Sequence, residues 1–365
     1  YANQIRMYSW TMIFVTLAFI YAYRILKKST KINWCMFGLF SLASAYTHYY
    51  GLLTVGIINV VLFVYLCKEK QINNIKIFLI SASIQILLYV PWLISFIKQL
   101  ARVSAGFWIE LIFPKTLIQI VSFQFGGDLN TTGDIHTYIA SVIAVILYIY
   151  IGYSICKMKK SDEKKWTVWA FGLYLLVISF AFIISLVTPI LYARYLFTIN
   201  GLFIFGLSYL ISKEEKKYIA IIICAVMIAL SVFNNITLIK SNYDESNMKQ
   251  IEYLQENMRP DDIIIYSNIG IGSVIATYFV DNDQYFYNTE NWDAVEAYKA
   301  FAPQMTTLSD LSYLDEYKGR IWLVDSEDLG LYNIFFKNDG YLLKSTETFV
   351  TAYQNYIYNL VLIEK

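Results

Sequence analysis

Three ionisable residues, Arg6, His48 and Arg194, stand beside tyrosines at breaks in long apolar runs of this sequence. Guanidinium groups can bind phosphate oxygens through two parallel hydrogen bonds. Histidine can donate a hydrogen bond to a phosphate, or hold a metal ion through a ring nitrogen. These residue types would together suit a ligand with a phosphate group, provided that the surrounding elements bring them to one place.

The composition is that of a membrane protein. Hydrophobic residues make up 57% and charged residues 16% of the 365 residues, whereas soluble domains carry about 25% charged residues. The mean hydropathy is +0.47. The formal net charge of +1 gives no reason to expect a nucleic-acid partner. Ionisable groups at membrane depth are costly, so those that are kept there are functional candidates.

His48 lies within 36 residues, Ile32 to Cys67, that contain no Lys, Arg, Asp or Glu. A membrane span needs about 20 residues, so this run is predicted to fold back on itself as a hairpin with arms at 33–47 and 51–67. Its tip, Tyr46-Thr47-His48-Tyr49-Tyr50-Gly51, is expected at the water boundary.

A polytopic helical protein with eight membrane spans is predicted over residues 1–240. The spans are expected at 7–23, 33–47, 51–67, 77–97, 135–156, 166–193, 195–212 and 218–239. The four loops on one side of the membrane hold fifteen Lys or Arg residues, and positive charge marks the cytoplasmic side. The outer side would then receive Arg6, the hairpin tip and Arg194.

An outer loop at 98–134 is predicted between the fourth and fifth spans. Within it, Gly106–Ile109 and Thr116–Phe125 are typical of segments that lie at the membrane interface with apolar side chains on one face.

Residues 241–365 have the composition of a small extracytoplasmic domain. Strands are expected at 262–266, 284–287 and 320–324, with helices at 247–257 and 273–280 and a closing strand pair at 341–349 and 357–363. This alternation predicts an α/β fold. Gly270-Ile271-Gly272 lacks the third glycine of a dinucleotide-binding loop, so a steric role is favoured over nucleotide binding.

The cysteines and histidines do not form a metal-binding pattern. Cys35, Cys67, Cys156 and Cys224 lie in apolar runs without ligand spacing or obvious pairing, and they are predicted to be buried thiols. The two histidines, His48 and His136, exclude a histidine-rich metal site. No cofactor is predicted with certainty, and a divalent metal ion at His48 is left open.

Each candidate residue also has a structural interpretation. Tyrosine and tryptophan anchor helices at membrane interfaces, which would account for Tyr49, Tyr50, Trp92 and Trp108. Arg6 and Arg194 could extend toward lipid headgroups. His48 could satisfy a backbone group at the bend.

Four outer segments, in their order along the chain, resemble a known family pattern. They are Arg6-Met7-Tyr8-Ser9, Tyr46 to Gly51, Pro91-Trp92 followed by Gln99 and Phe107-Trp108, and Arg194-Tyr195. This pattern is similar to that of bacterial polytopic glycosyltransferases of the GT-C type, family 39, whose relatives include protein O-mannosyltransferases and lipid A aminoarabinose transferases. The resemblance covers about residues 1–240, and the C-terminal domain resembles the extracytoplasmic domain of many members.

The resemblance implies a sugar donor linked to a polyprenyl phosphate and transfer, with inversion, at the outer face of the plasma membrane. The acceptor would be an envelope lipid, glycan or protein. Cations would stabilise the leaving phosphate. The implied donor-phosphate and lipid-binding residues are Arg6, Tyr8, His48, Arg194 and Tyr195, and the implied sugar or prenyl groove consists of Tyr46, Tyr49, Tyr50, Trp92 and Trp108.

The family's catalytic aspartate follows its first span, upstream of the Arg-Met-Tyr motif. We therefore expect this aspartate and the natural N-terminus to precede residue 1, in keeping with an opening Tyr1 and no signal peptide. The outer-loop carboxylates Glu110, Asp128 and Asp134 are weaker candidates for the base that deprotonates the acceptor.

Two other classes of protein could use the same cations. A non-catalytic carrier or flippase of lipid-linked sugars would need no base, but it should carry polar residues through the mid-depth of its spans, and these spans have almost none. An envelope glycan polymerase or ligase should have an arginine-rich outer loop, whereas residues 98–134 hold only Arg102 and Lys115 after Lys98. The sequence therefore favours the glycosyltransferase, without indicating its sugar, acceptor or oligomeric state.

Overall fold

A computed structural model of the chain describes residues 7–105, 115–125, 135–287, 302–314, 316–326 and 329–365. The chain divides into two compact units, Tyr1–Val232 and Phe233–Lys365. The first unit is helical, and the second contains a mixed β-sheet.

The helices of the first unit follow one another along the apolar runs of the sequence. They are α1 (Tyr8–Lys27), α2 (Lys31–Thr47), α3 (Tyr49–Lys68), α4 (Ile72–Ala105), α5 (Lys115–Ser122), α6 (Ile135–Lys157), α7 (Asp162–Ser185), α8 (Asn200–Lys213) and α9 (Lys217–Asn242), which continues into the second unit. Short 3₁₀ helices, Phe123–Phe125 and Ala193–Ile199, follow α5 and precede α8.

Seven helical segments in the described part of the chain are long and apolar enough to cross a membrane. The prediction of a helical fold is therefore confirmed, and the length and composition of these helices support a membrane-embedded protein. The arm α2, with 17 residues, is shorter than these seven. The count of eight spans and the assignment of an outer side remain predictions.

The hairpin of α2 and α3 breaks at a single residue, His48, which lies between the two helices in an extended conformation. Gly51, in the first turn of α3, has a packing role. A β-carbon on Gly51 would lie 2.4 Å from the carbonyl oxygen of Ser44 and 2.7 Å from Cγ2 of Thr11. The glycine therefore lets α1, α2 and α3 approach closely near the tip.

The lysine-rich ends of the helices lie together at the other end of the bundle. Lys27, at the end of α1, forms an ion pair with Asp162 at the start of α7. The hydroxyl of Ser29 donates to Oδ1 of Asn74 over 2.6 Å. These contacts join three of the four loops in which the sequence concentrates its positive charge.

The helix predicted at 166–193 ends earlier, at Ser185. Pro189 has no N–H and disfavours a helical conformation at the preceding residue, Thr188. The hydroxyl oxygen of Ser185 accepts hydrogen bonds from the N–H groups of Ile190 (3.0 Å) and Leu191 (2.7 Å). Arg194 therefore lies in a 3₁₀ helix after an irregular segment, and not in a tight turn between two helices.

The region predicted as an interfacial loop also differs. Helix α4 continues through Pro91 to Ala105, so the expected loop start at 98 lies within it. The segment Thr116–Phe125 packs into the helical core, where the ring of Phe125 lies 6.2 Å from Tyr148 and 6.0 Å from Phe203. Gly106–Ile109 lies outside the described residues.

The prediction of buried cysteines is wrong. Cys35, Cys67, Cys156 and Cys224 are all free and exposed. An apolar neighbourhood in the sequence does not separate a core position from one on the outer, lipid-type surface of a membrane helix, because both surfaces are apolar.

The second unit has a sheet of order β3-β2-β1-β4-β6-β5. The strands are β1 (Ile263–Tyr266), β2 (Gln284–Tyr287), β3 (Thr306–Leu308), β4 (Arg320–Asp325), β5 (Leu342–Val350) and β6 (Ile357–Glu364). Strands β1 to β4 pair in parallel, whereas β5 and β6 add an antiparallel pair to β4. The predicted α/β fold is confirmed, whereas the mixed pairing of the sheet and the three-residue strand β3 were not predicted.

Hydrophobic residues cover both faces of this sheet. One cluster includes Ile251 and Leu254 from α10 (Lys249–Asn257) and Ile271 and Ile275 from α11 (Ile269–Ala276). The other is formed by residues such as Leu311, Leu331 and Phe336. Burial on both sides explains why all four residues of β1 are buried.

The Gly270-Ile271-Gly272 segment opens α11. The side chain of Asn268 accepts hydrogen bonds from the N–H groups of Gly270 and Ile271 and so starts the helix four residues before its predicted position. A β-carbon on Gly272 would lie 2.8 Å from the ring of Tyr266. The steric interpretation of these glycines is thus supported by the packing.

Candidate functional site

Tyr8, His48, Tyr50 and Tyr195 form an aromatic cluster in the helical unit, called the tyrosine cluster below. The ring centroid of His48 lies 5.2 Å from that of Tyr195, 5.3 Å from that of Tyr8 and 6.0 Å from that of Tyr50. Tyr50 and Tyr195 are 5.3 Å apart. Residues that are distant in the sequence therefore meet around the hairpin tip.

Local structure explains why these side chains converge. Tyr8 is the first residue of α1, and Tyr50 belongs to the first turn of α3. The hydroxyl of Tyr50 donates to the carbonyl oxygen of Ile190 over 2.8 Å. Ile190 belongs to the irregular segment that also hydrogen-bonds to Ser185. These bonds position the following 3₁₀ helix, which contains Tyr195, beside α3. Tyr8 and Tyr50 are each only 4% exposed.

His48 has a structural role that the sequence suggested. Its Nδ1 accepts the backbone N–H of Tyr50 over 3.0 Å, so it caps the N-terminus of α3. In the neutral imidazole the proton must then lie on Nε2. Within the described residues Nε2 makes no hydrogen bond to another group, so it is left as a donor for a ligand.

Arg194 lies at the edge of the tyrosine cluster. Its guanidinium carbon is 4.5 Å from the ring centroid of Tyr192, and that ring is 5.9 Å from the ring of Tyr195. A guanidinium above an aromatic face is held by cation–π attraction, and its N–H groups are of the type that binds anions. Arg6 precedes Tyr8 by two positions but lies outside the described residues.

Tyr46, Tyr49 and Trp92 form a second group, called the α4 patch below. The hydroxyl of Tyr46 donates to the carbonyl oxygen of Leu88 over 2.6 Å, and its ring lies 6.1 Å from Trp92. The hydroxyl of Tyr49 donates to Oε1 of Gln99. Tyr46 is 41% and Tyr49 is 37% exposed.

The structure thus divides the predicted sugar or prenyl groove. Tyr50 is buried in the tyrosine cluster, whereas Tyr46, Tyr49 and Trp92 lie along α4. Burial of Tyr50 also rules out its interpretation as an exposed interfacial anchor. Trp108 lies outside the described residues.

The sequence analysis missed two members of the α4 patch. Tyr89 lies with its ring 5.3 Å from Tyr46, and the ring of Phe96 is 5.2 Å from Tyr49. Tyr89 precedes Trp92 by three residues and Phe96 follows it by four, which is the spacing of one helix face. That spacing was the signal that could have found them.

No metal site is evident in the part of the chain that the structure describes, since no three His, Cys, Asp or Glu residues come together there. The rings nearest His48 are phenols, which are poor partners for a divalent ion. The outer-loop carboxylates Glu110, Asp128 and Asp134 lie outside the described residues.

Comparison with protein-family models, with curated proteins and with solved structures finds no match for this chain. The fold defines a protein with a bundle of membrane-type helices and a C-terminal mixed-sheet unit. A more specific function rests on the site itself.

Proposed function

We propose that this protein is a membrane glycosyltransferase that uses a polyprenyl-phosphate sugar as donor. The observation that carries the proposal is the convergence of separate segments on the hairpin tip. His48 and Tyr50 contact Tyr8 and Tyr195, while Tyr46 and Tyr49 contact the Trp92 to Gln99 stretch. The described residues of the four segments that carry the family resemblance therefore lie around the hairpin tip.

The two groups of residues suit the two chemical parts of such a donor. Nε2–H of His48 and the guanidinium of Arg194 can bind phosphate oxygens, and Arg6 would add a second guanidinium. The exposed aromatic residues of the α4 patch offer an apolar surface for the prenyl chain. Because the departing group is a phosphate monoester, cations beside it stabilise the charge that develops in the transition state.

The proposed reaction also needs a base for the acceptor hydroxyl, and a carboxylate suits this role. No residue of the tyrosine cluster is assigned that role, since His48 already uses Nδ1 to cap α3. The proposal for this chain therefore concerns donor binding.

Donor binding is tested by measuring the affinity of the purified protein, in nanodiscs, for a radiolabelled polyprenyl monophosphate. Arg194→Ala should weaken binding about tenfold or more, the effect of one charge-assisted hydrogen-bond pair. Arg24→Ala is the matched control, because the Arg24 guanidinium lies in a similar way 5.0 Å from the ring of Tyr21 at the lysine-rich end of α1. Equal losses in both variants would contradict the proposed site.

A second variant separates the two roles of His48. Asparagine is a good N-cap residue, so His48→Asn keeps an acceptor for the N–H of Tyr50 but loses the imidazole Nε2–H. We expect normal thermal stability with weaker binding of the polyprenyl phosphate. Unchanged binding would leave His48 with only its structural role.

Transfer is tested by following a labelled sugar from its polyprenyl phosphate to acceptors in membranes of the expressing cell. Release of polyprenyl phosphate together with a labelled product supports the enzyme. Movement of the intact donor between leaflets without any product would support the flippase instead.

A further inference from the structure

A groove of about 470 Å³ lies between α3 and α7 at the lysine-rich end of the helical unit, far along α3 from the tyrosine cluster. Its walls include Val60 and Val64, which are 61% and 58% exposed. Exposed valines of a membrane-type helix face an apolar environment, so this part of the groove suits a hydrocarbon chain.

The lining of the groove is arranged in layers. On α3, Val60, Val64 and Lys68 are each four residues apart and lie on one face of the helix. On α7, Lys165 and Trp169 have the same spacing, and α7 runs in the opposite direction. Both lysines therefore lie at the same end of the groove.

An aromatic layer separates the lysines from the valines. The ring centroids of Tyr65 on α3 and Trp169 on α7 lie 5.3 Å apart in an edge-to-face arrangement. This contact joins the two helices. Tyrosine and tryptophan prefer the level of the lipid headgroups. The order of cations, aromatic rings and valines matches the order of phosphate, glycerol backbone and acyl chain in a phospholipid.

The charges at the end of the groove leave the lysines available. Asp162 lies 3.8 Å from Nζ of Lys165, but it also forms an ion pair with Lys27. The side chain of Lys165 is 62% exposed. Glu69, the one acid in the groove lining, could accept hydrogen bonds from headgroup hydroxyls.

We propose that this groove is a binding site for an anionic glycerophospholipid whose headgroup carries hydroxyl groups, as in phosphatidylglycerol. Lys68 and Lys165 bind its phosphate, Glu69 accepts from the headgroup hydroxyls, and one acyl chain lies along Val60 and Val64. The site is independent of the proposed donor site, which lies at the other end of the bundle.

The proposal is tested with the full chain in detergent, using native mass spectrometry to count bound lipid during titration with phosphatidylglycerol or phosphatidylcholine of the same chains. We expect one phosphatidylglycerol molecule to bind more tightly than phosphatidylcholine does. Lys68→Gln and Lys165→Gln should each weaken it about fivefold, as expected for one basic residue near a lipid surface.

The control removes two lysines from the same end of the bundle but outside the groove. In Lys157→Gln with Lys213→Gln, the changed side chains lie above the rings of Tyr153 and Tyr209. This variant should bind phosphatidylglycerol like the unmodified chain. An equal loss in the control would show only a general effect of charge and would overturn the proposal.

A third variant tests the acyl-chain part of the site. Val64→Trp fills the groove at an exposed position, so it should leave the fold intact while lowering the binding of both lipids at least fivefold. If phosphatidylglycerol binds to this variant as before, the lysines bind phosphate without an acyl chain in the groove. That result would refute the proposed lipid site.

Discussion

The packing at Gly51 makes a quantitative prediction about the hairpin that carries His48. In Gly51→Ala the new β-carbon would lie 2.4 Å from a backbone oxygen of α2, so the helices must separate by about 1 Å to restore an ordinary contact. Overpacking of this kind costs about 1–3 kcal/mol. The closest atom is a backbone oxygen, which can move away only if helix α2 moves with it.

Gly56→Ala is the matched control, because it lies on the same helix and its β-carbon would meet no atom within 4 Å. Both changes gain the same helix propensity, up to about 1 kcal/mol. The difference between the two variants therefore isolates the packing cost. At about 2–4 °C per kcal/mol for a unit of this size, Gly51→Ala should unfold roughly 2–12 °C below Gly56→Ala.

The measurement is the thermal unfolding of both variants in the same detergent, followed by circular dichroism. Equal midpoints would refute the close approach of α1, α2 and α3 at the tip. A lower midpoint for Gly51→Ala should be accompanied by weaker binding of polyprenyl phosphate, since His48 is displaced with the tip.

Two further predictions concern the C-terminal unit. Arg320→Leu should lower its free energy of unfolding by about 3–5 kcal/mol. The reason is that Nη2 of Arg320 lies 3.3 Å from Oδ2 of Asp262, and that carboxylate is only 1% exposed. Denaturant unfolding followed by tryptophan fluorescence measures the loss, and the double variant with Asp262→Asn should recover part of it. The stability should also fall as the pH rises from about 10, the pKa of an unfolded tyrosine, because burial raises the pKa of Tyr358 to about 12. Between these two pH values the unfolded state ionises at this tyrosine and the folded state does not. Tyr358→Phe should therefore flatten the decline of the free energy of unfolding with pH. An unchanged slope would contradict this explanation.

Periodicity and the absence of charge were sufficient to locate the main elements. The run from Ile32 to Cys67 is too long for one span, and it does fold back, with helices on either side of His48. The alternating strands and helices after residue 240 likewise predicted the α/β fold of the second unit. These signals are local, since hydrophobic spacing along the chain already reflects which elements can form.

Other features depended on contacts that no local pattern encodes. The side chain of Ser185 and the hydroxyl of Tyr50 hold the irregular segment before Arg194, a role that neither residue type reveals. The segment with Phe125 was predicted at the interface from its apolar face, yet that face packs on α6 and α8. An apolar face can be covered by lipid or by protein, and only the tertiary structure distinguishes the two.

The candidate site shows the same division. By themselves, the residue types identified His48, Arg194 and the surrounding tyrosines as suitable for a phosphate ligand, because their chemistry is intrinsic. The tertiary structure decided that Tyr8, Tyr50 and Tyr195 surround the histidine while Tyr46 and Tyr49 lie along α4. Successive residues of a helix point in different directions, so neighbours at the hairpin tip are directed to separate surfaces, and only the packing of the helices determines what each surface contacts.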